Sequence, residues 1–190
     1  MTLEFINRQH DGWPWPFSLR QNITLDSGAF SIELTLRNLS GAEMPAGFGF
    51  HPYFSNPKTA TLKFSAEGSW APDGEGLPAE WRAIDNGLDF VSGRLLKSVS
   101  IDQCFTGWRG PAFIEWRDRP YGVEISADSA MKFAVVYVSQ EEGCFCFEPV
   151  SQMNDALNWA NRIKDTGLRI LQPGEEWAAA MTLRAREIQR

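Results

Sequence analysis

Apolar and polar side chains alternate along much of the chain. Between Phe30 and Leu36 every second residue is apolar, and the residues between them are polar or charged. A period of two is typical of a strand that buries one face. The preceding Asp26-Ser27-Gly28 predicts a hairpin turn. Strand-forming runs predict further strands at residues 61–66, 112–116, 121–127, 132–138, 144–150 and 177–184.

Turn signals, not helices, separate these runs. Turn-forming pairs such as Asn56-Pro57 and Arg119-Pro120 lie between the strand-forming runs. Only residues 152–164 could hold a helix of any length, and their apolar spacing is weak. Residues 69–93 are rich in Gly, Pro and Asp, and we predict long loops on one rim there. Strands joined by turns predict an all-β fold, an antiparallel β-sandwich or barrel.

Composition narrows the class of protein. The chain has 190 residues, of which 43% are hydrophobic and 22% charged, so it can bury a sizeable core and is not disordered. This length predicts a single domain over residues 1–190. The net charge is −6, with 18 Lys and Arg against 24 Asp and Glu. A broad basic face is therefore not expected, and neither is nucleic-acid binding.

The chain start and the apolar runs give an expectation about location. The first ten residues have no basic patch followed by an apolar stretch, so we expect no signal peptide. No apolar run approaches the ~20 residues of a membrane helix. We therefore predict a cytoplasmic protein that does not contact a membrane. The eight Trp residues are a weaker signal, because Trp lines sugar-binding clefts but more often packs in cores.

The three cysteines predict no metal site. Cys144 and Cys146 are two residues apart and share one face of a predicted strand, with Phe145 and Phe147 on the other face. The chain has only two His, too few to complete a zinc site with this pair. We expect buried, reduced thiols.

Three side chains are candidates for chemistry. His51 is a candidate for proton transfer, and Pro52 favours an extended backbone there. A buried core histidine without a chemical role is an equal alternative. Glu148 stands in an apolar strand, where burying a carboxylate is costly, although a rim carboxylate facing water is equally compatible. Asp102 is also flanked by apolar residues, and its alternative role is to cap a turn. His10 lies in a polar segment and is expected to be a solvated loop residue.

Other reaction classes find no support in the sequence. No Ser stands in a nucleophile-elbow context, and no metal-ligand cluster is visible. One His and one or two carboxylates remain, which is a general acid–base set that needs no cofactor and no metal.

Five sequence blocks carry a resemblance to a known family. They are Gly12-Trp-Pro-Trp-Pro-Phe17, Met44-Pro-Ala-Gly-Phe-Gly-Phe-His-Pro-Tyr-Phe54, Asp102-Gln-Cys-Phe-Thr-Gly-Trp108, Phe145-Cys-Phe-Glu-Pro-Val-Ser151 with Asp155-Ala-Leu-Asn158, and Leu171-Gln-Pro-Gly174. In this order they resemble the aldose 1-epimerase (galactose mutarotase) family, nearest its bacterial branch. The blocks around His51 and Asp102 are the specific ones.

The resemblance implies a fold, a reaction and a site. The fold would be a galactose mutarotase-like supersandwich, and the reaction would interconvert the α and β anomers of a free aldohexose. Glu148 is similar to the family's general base and His51 to its general acid. Asp102 resembles the acidic residue that bonds sugar hydroxyls, and Trp108 would lie beside the sugar.

Family members usually extend further at the N-terminus. That part contributes strands, an Arg and a second His, and His10 does not match this second His. We therefore expect a sandwich that is incomplete at the N-terminus, weak activity and self-association through an exposed sheet edge.

Two alternatives to the mutarotase hypothesis stay open. One is a carbohydrate-binding relic, or a truncated fragment, without turnover. The other is a sugar-phosphate mutarotase, which the sequence disfavours because its arginines are scattered and not clustered at one rim; those considered are Arg82, Arg109, Arg117 and Arg119.

Overall fold

The computed structural model describes residues 1–8, 12–85 and 87–188. His10, predicted to be a solvated loop residue, lies outside the described residues. The strands are β1 Thr2–Asn7, β2 Phe17–Asp26, β3 Ala29–Asn38, β4 Met44–Ala46, β5 Tyr53–Ser55, β6 Ala60–Lys63, β7 Gly68–Pro72, β8 Pro78–Ala83, β9 Arg94–Leu95, β10 Ile101–Thr106, β11 Ala112–Trp116, β12 Tyr121–Ala127, β13 Phe133–Ser139, β14 Cys144–Val150, β15 Arg169–Leu171 and β16 Glu176–Glu187. A 3-10 turn spans Leu96–Ser98, and the short helix α1 spans Ala156–Trp159.

Antiparallel pairing joins these strands into two large sheets. The eight-stranded sheet runs β1-β2-β3-β16-β12-β11-β6-β9, and the six-stranded sheet runs β5-β14-β13-β10-β7-β8. β15 and β4 form a separate pair. The two large sheets share one apolar core, which confirms the predicted all-β antiparallel sandwich.

The core is built from the alternating residues of both sheets. Phe105, Phe145 and Phe147 of the six-stranded sheet are fully buried, as are Ile114 and Ile125 of the eight-stranded sheet. Each such side chain contributes roughly 1.5–3 kcal/mol to the free energy of folding. Since successive residues of β14 point to opposite faces, burying its two phenylalanines on the core face turns Cys146 and Glu148 to the other face of the sheet.

Most of the predicted strands are confirmed. Residues 112–116, 121–127 and 144–150 are strands with the expected bounds, and the others shift by a few residues. The hairpin turn before β3 is also confirmed, with Gly28 at a positive φ of 86°. Residues 152–164, the stretch that could hold a helix, contain the single turn of α1.

The prediction of long loops over residues 69–93 was wrong. β7 and β8 fall largely inside this stretch and pair with each other. The prolines misled the prediction because β8 is an edge strand, and Pro78 stands at its first residue, where no ladder hydrogen bond is lost. No helix within the described residues is long and apolar enough to cross a membrane.

Candidate functional site

A close backbone contact brings the segment before β5 against the end of β14. Phe50 N donates to Pro149 O at 2.9 Å, and Ser151 N donates to Phe48 O at 2.9 Å. An antiparallel bridge pairs Gly49 with Val150. Two residues beyond that bridge, the same register sets His51 opposite Glu148.

The absence of side chains at two glycines makes this contact possible. A Cβ at Gly49 would lie 2.5 Å from Val150 Cγ1 and 3.1 Å from Pro149 O. A Cβ at Gly47 would lie 2.3 Å from Gln152 Oε1. Distances under 3 Å force backbone or side chain to move. These glycines therefore permit a close approach, and the groups that approach Gly49 are the Val150 side chain and the Pro149 carbonyl.

The two candidate proton-transfer groups meet at this contact. His51 Nε2 lies 3.4 Å from Glu148 Oε1. The His51 side chain is 54% exposed, which rules out the alternative of a core histidine, and the Glu148 side chain is 12% exposed, so it is not a rim carboxylate facing water. Tyr53 stacks on the imidazole with centroids 4.7 Å apart and an interplanar angle of 8°. The stack fixes the plane of the ring that faces Glu148.

Burial makes the Glu148 carboxyl a weaker acid. Removal from water raises its pKa to about 7, and the negative charge of Asp102 adds to the rise. A carboxylate with a pKa near neutrality is a better proton acceptor than one at its ordinary value.

Asp102 lies on the same sheet face, two strands from Glu148. It pairs with Tyr137 of β13, which pairs in turn with Cys146 of β14. Neighbouring strands are about 4.8 Å apart, so β10 and β14 are separated by about 10 Å. Asp102 is exposed within β10, which excludes the alternative of a turn-capping residue. The separation leaves room for a small ring between the two carboxylates.

The structure does not bring Trp108 to this group. Its indole is 3% exposed and packs edge-on against Phe147, with centroids 5.2 Å apart. Phe147 points to the core face of β14, whereas Glu148 points to the other face. The predicted contact between Trp108 and a sugar at Glu148 therefore has no geometric support.

A possible metal-ligand group was missed by sequence reasoning. One ligand atom each from His51, Cys146 and Glu148 lie within 4.8 Å of one another. A divalent ion would need the thiolate of Cys146, but burial and the neighbouring Glu148 raise the pKa of that thiol to about 12. All three cysteines are free. The expectation of a reaction without metal stays a prediction.

An open cleft of about 670 Å³ reaches Glu148 from the 151–158 segment. Polar side chains of that segment line it, namely Gln152, Asn154, Asp155 and Asn158. Sequence reasoning gave no role to these residues or to Tyr53. For Tyr53 the signal was available, because residues two apart in an extended chain share a face, and Tyr53 follows His51 by two.

One family model matches nearly the whole chain. The family model for aldose 1-epimerase matches residues 1–184. An uncharacterised Escherichia coli protein, YphB, is 26% identical over 184 residues, which are 93% of this chain and 62% of that protein.

Solved structures give the same fold. The crystal structure of the Escherichia coli K12 protein b2544 is 25% identical, with a TM-score of 0.88 over 98% of this chain and 65% of that one. A galactose mutarotase-like protein from Clostridium acetobutylicum has a TM-score of 0.87 at 20% identity, over 98% of this chain and 62% of that one. A galactose 1-epimerase from Lactobacillus acidophilus has a TM-score of 0.81 at 14% identity, over 99% and 63%. The chain thus spans less than two thirds of the length of each of these relatives.

The raised pKa of Glu148 predicts a pH-dependent gain in stability for Glu148→Gln. The folded-state pKa of about 7 exceeds the ordinary 4.5, so the charged carboxylate destabilises the fold increasingly as pH rises through this interval. Gln carries no charge, and the free energy of unfolding should rise by up to about 3 kcal/mol at pH 8 and by much less at pH 4.5. Denaturant unfolding at both values measures this. The exposed Glu115→Gln serves as control, and an equal gain for both variants would contradict the burial argument.

Proposed function

The chain belongs to the aldose 1-epimerase family, and from this premise we propose that it interconverts the α and β anomers of a free aldohexose. The observation that carries the proposal is the 3.4 Å approach of His51 Nε2 to Glu148 Oε1 beside an open cleft. These two groups supply the acid and the base that ring opening requires, with no cofactor.

Glu148 acts as the general base in this proposal. It takes the proton of the anomeric hydroxyl, and the electron pair left on that oxygen forms the aldehyde carbonyl. The bond between the anomeric carbon and the ring oxygen breaks. A base with a pKa of about 7 is ionised in a large fraction of molecules at neutral pH and still holds a proton well.

His51 acts as the general acid and protonates the ring oxygen as it leaves. Rotation about the bond next to the carbonyl then presents its other face to the ring hydroxyl. Reclosure runs both proton transfers in reverse, so acid and base are restored. Stacking of Tyr53 on the imidazole supports this role, because it orients the ring without blocking Nε2.

Asp102 is proposed to hold the sugar hydroxyls. Its exposed carboxylate on β10 lies about two strand spacings from Glu148, and a carboxylate accepts hydrogen bonds from hydroxyl groups. Trp108 is left out of this proposal because it packs on the core face of the sheet.

Substitution of the base tests the reaction directly. We expect Glu148→Gln to lower the enzymatic mutarotation rate by roughly 10²–10⁴-fold, because the amide is nearly isosteric but accepts no proton. Polarimetry on a freshly dissolved anomer of galactose or glucose measures the rate above the spontaneous background. Glu115→Gln on β11 is the matched control and should retain the wild-type rate.

The outcomes separate this proposal from its alternatives. An active wild-type chain with an equally active Glu148→Gln variant would refute the assignment of the base. A wild-type chain that binds sugar in isothermal titration without accelerating mutarotation would favour a carbohydrate-binding protein without turnover.

The pH dependence of the mutarotation rate is a second test of Glu148 as the base. The rate should fall as pH drops through about 7, because Glu148 then gains a proton and no longer acts as a base. Asp102→Asn removes a negative charge that raises this pKa, so the low-pH limb should move to lower pH. Polarimetric rates from pH 5 to 9 measure this limb in the wild-type chain and in Asp102→Asn. A limb that stays in place, or moves to higher pH, would show that Asp102 does not act on Glu148.

We also propose that the chain self-associates with a second copy through β1. This strand is one of the two edges of the eight-stranded sheet, and Leu3, Phe5 and Ile6 on it are each at least 50% exposed. An edge strand offers unpaired backbone groups, and exposed apolar side chains add to the attraction.

Light scattering after size exclusion tests this association. The wild-type chain should elute at a multiple of 21.4 kDa, and Leu3→Lys should shift it toward a single chain because a charge on the edge opposes pairing. Leu25→Lys, at the exposed end of β2, is the control and should still associate. A wild-type chain that stays monomeric at all concentrations would refute the proposal.

A further inference from the structure

An exposed aromatic side chain lies on the six-stranded sheet, four strands from Glu148. Trp81 of the edge strand β8 pairs across the ladder with Trp70 of β7. The Trp81 ring lies directly against the backbone of Gly68, where a Cβ would come within 2.4–2.6 Å of its Cζ2, Cε2 and Nε1. Its Nε1 donates to Thr106 Oγ1 at 3.0 Å. The indole is therefore fixed in position, yet it remains 47% exposed.

The exposed indole borders a cleft of about 730 Å³. Trp70 and Trp108 line the same cleft. None of the described residues that line it also lines the cleft at Glu148. One apolar cluster contributes Trp70 and Phe133 to this cleft and Val135 to the other, so it forms a wall between them.

The charges around the cleft are largely paired. Arg109 Nη2 lies 3.3 Å from Glu67 Oε1, and Lys132 Nζ lies 3.0 Å from Asp165 Oδ2. Asp128 is a third carboxylate in the lining, against two cations. An excess of negative charge disfavours phosphate and other anions. Paired ions at a rim still offer oxygen acceptors and N–H donors to a neutral ligand rich in hydroxyl groups.

One donor at the cleft has no partner. Trp108 is 3% exposed, and its Nε1 makes no hydrogen bond within the described residues. A buried N–H without an acceptor is costly, so the position of the Trp108 indole beneath the cleft lining carries an uncompensated polar cost.

We propose that this cleft binds the pyranose ring of a neutral saccharide, with its C–H face stacked on Trp81. An indole is a large apolar surface with a polar edge, which suits a ring that is apolar on its face and polar at its rim. We assign binding and no reaction to this site, because the described carboxylates of its lining are engaged: Glu67 pairs with Arg109, Asp165 pairs with Lys132, and Asp128 accepts from Ala180 N. This site gives a function to tryptophans that the acid–base site does not use.

Methyl glycosides of galactose and glucose are the probes for this site. Their anomeric oxygen is blocked, so they cannot mutarotate, and the result does not depend on the proposed reaction. In NMR spectra of the ¹⁵N-labelled chain, the indole N–H signal of Trp81, assigned by its loss in Trp81→Ala, should shift on titration. The Trp108 indole signal should shift with it.

Substitutions then assign the binding. Trp81→Ala should weaken glycoside affinity, read on the Trp108 signal, by about tenfold or more. Tyr121→Ala removes an equally exposed aromatic side chain from the other sheet and should leave the affinity unchanged. If Trp81→Ala does not fold, Thr106→Val serves instead, since it removes only the acceptor that fixes the indole, and it should also weaken binding.

Three results would overturn the proposal. The first is a Trp81 signal that no glycoside shifts. The second is an affinity that neither Trp81→Ala nor Thr106→Val lowers. The third is a Trp81 signal that inorganic phosphate shifts and glycosides do not.

Discussion

The candidate site depends on one backbone contact, the pairing of the segment around Gly49 with the last residues of β14. This contact needs a residue without a Cβ at Gly49, and it sets the register that opposes His51 to Glu148. Any side chain at Gly49 would press into Val150 and separate the strands. The main chain thus sets the positions of the acid and the base, which suits a reaction in which small displacements are costly.

The raised pKa of Glu148 follows from its position at this backbone contact. Glu148 is held at the protein surface but is covered by its neighbours, so it loses much of its hydration while it remains in contact with the cleft. Desolvation, together with the charge of Asp102 from two strands away, raises its pKa to about 7. The core on the opposite face of β14 is equally necessary, because Phe145 and Phe147 fix the direction in which Glu148 points.

Much of this arrangement could be predicted from the sequence, since alternation and turn residues locate the central strands. The same alternation places Cys146 and Glu148 on one face. The edge pair β7 and β8 could not be found in this way, because Pro and Gly at a sheet edge look like loop residues. Sequence also could not place Trp108, which the resemblance implied to be near the sugar, nor the approach of Asp102 to Glu148. Those relations depend on the register of strands far apart in sequence.

The central claim is that burial beside His51 makes Glu148 a base poised near neutral pH. The most direct measurement is an NMR titration of the Glu148 side-chain carboxyl in the ¹³C-labelled wild-type chain, with Glu148→Gln used to assign the signal. The account predicts a midpoint near pH 7 that coincides with the low-pH limb of the mutarotation rate. A midpoint near the ordinary value of 4.5 would contradict it, because the carboxyl would then be solvated and burial would not raise its pKa.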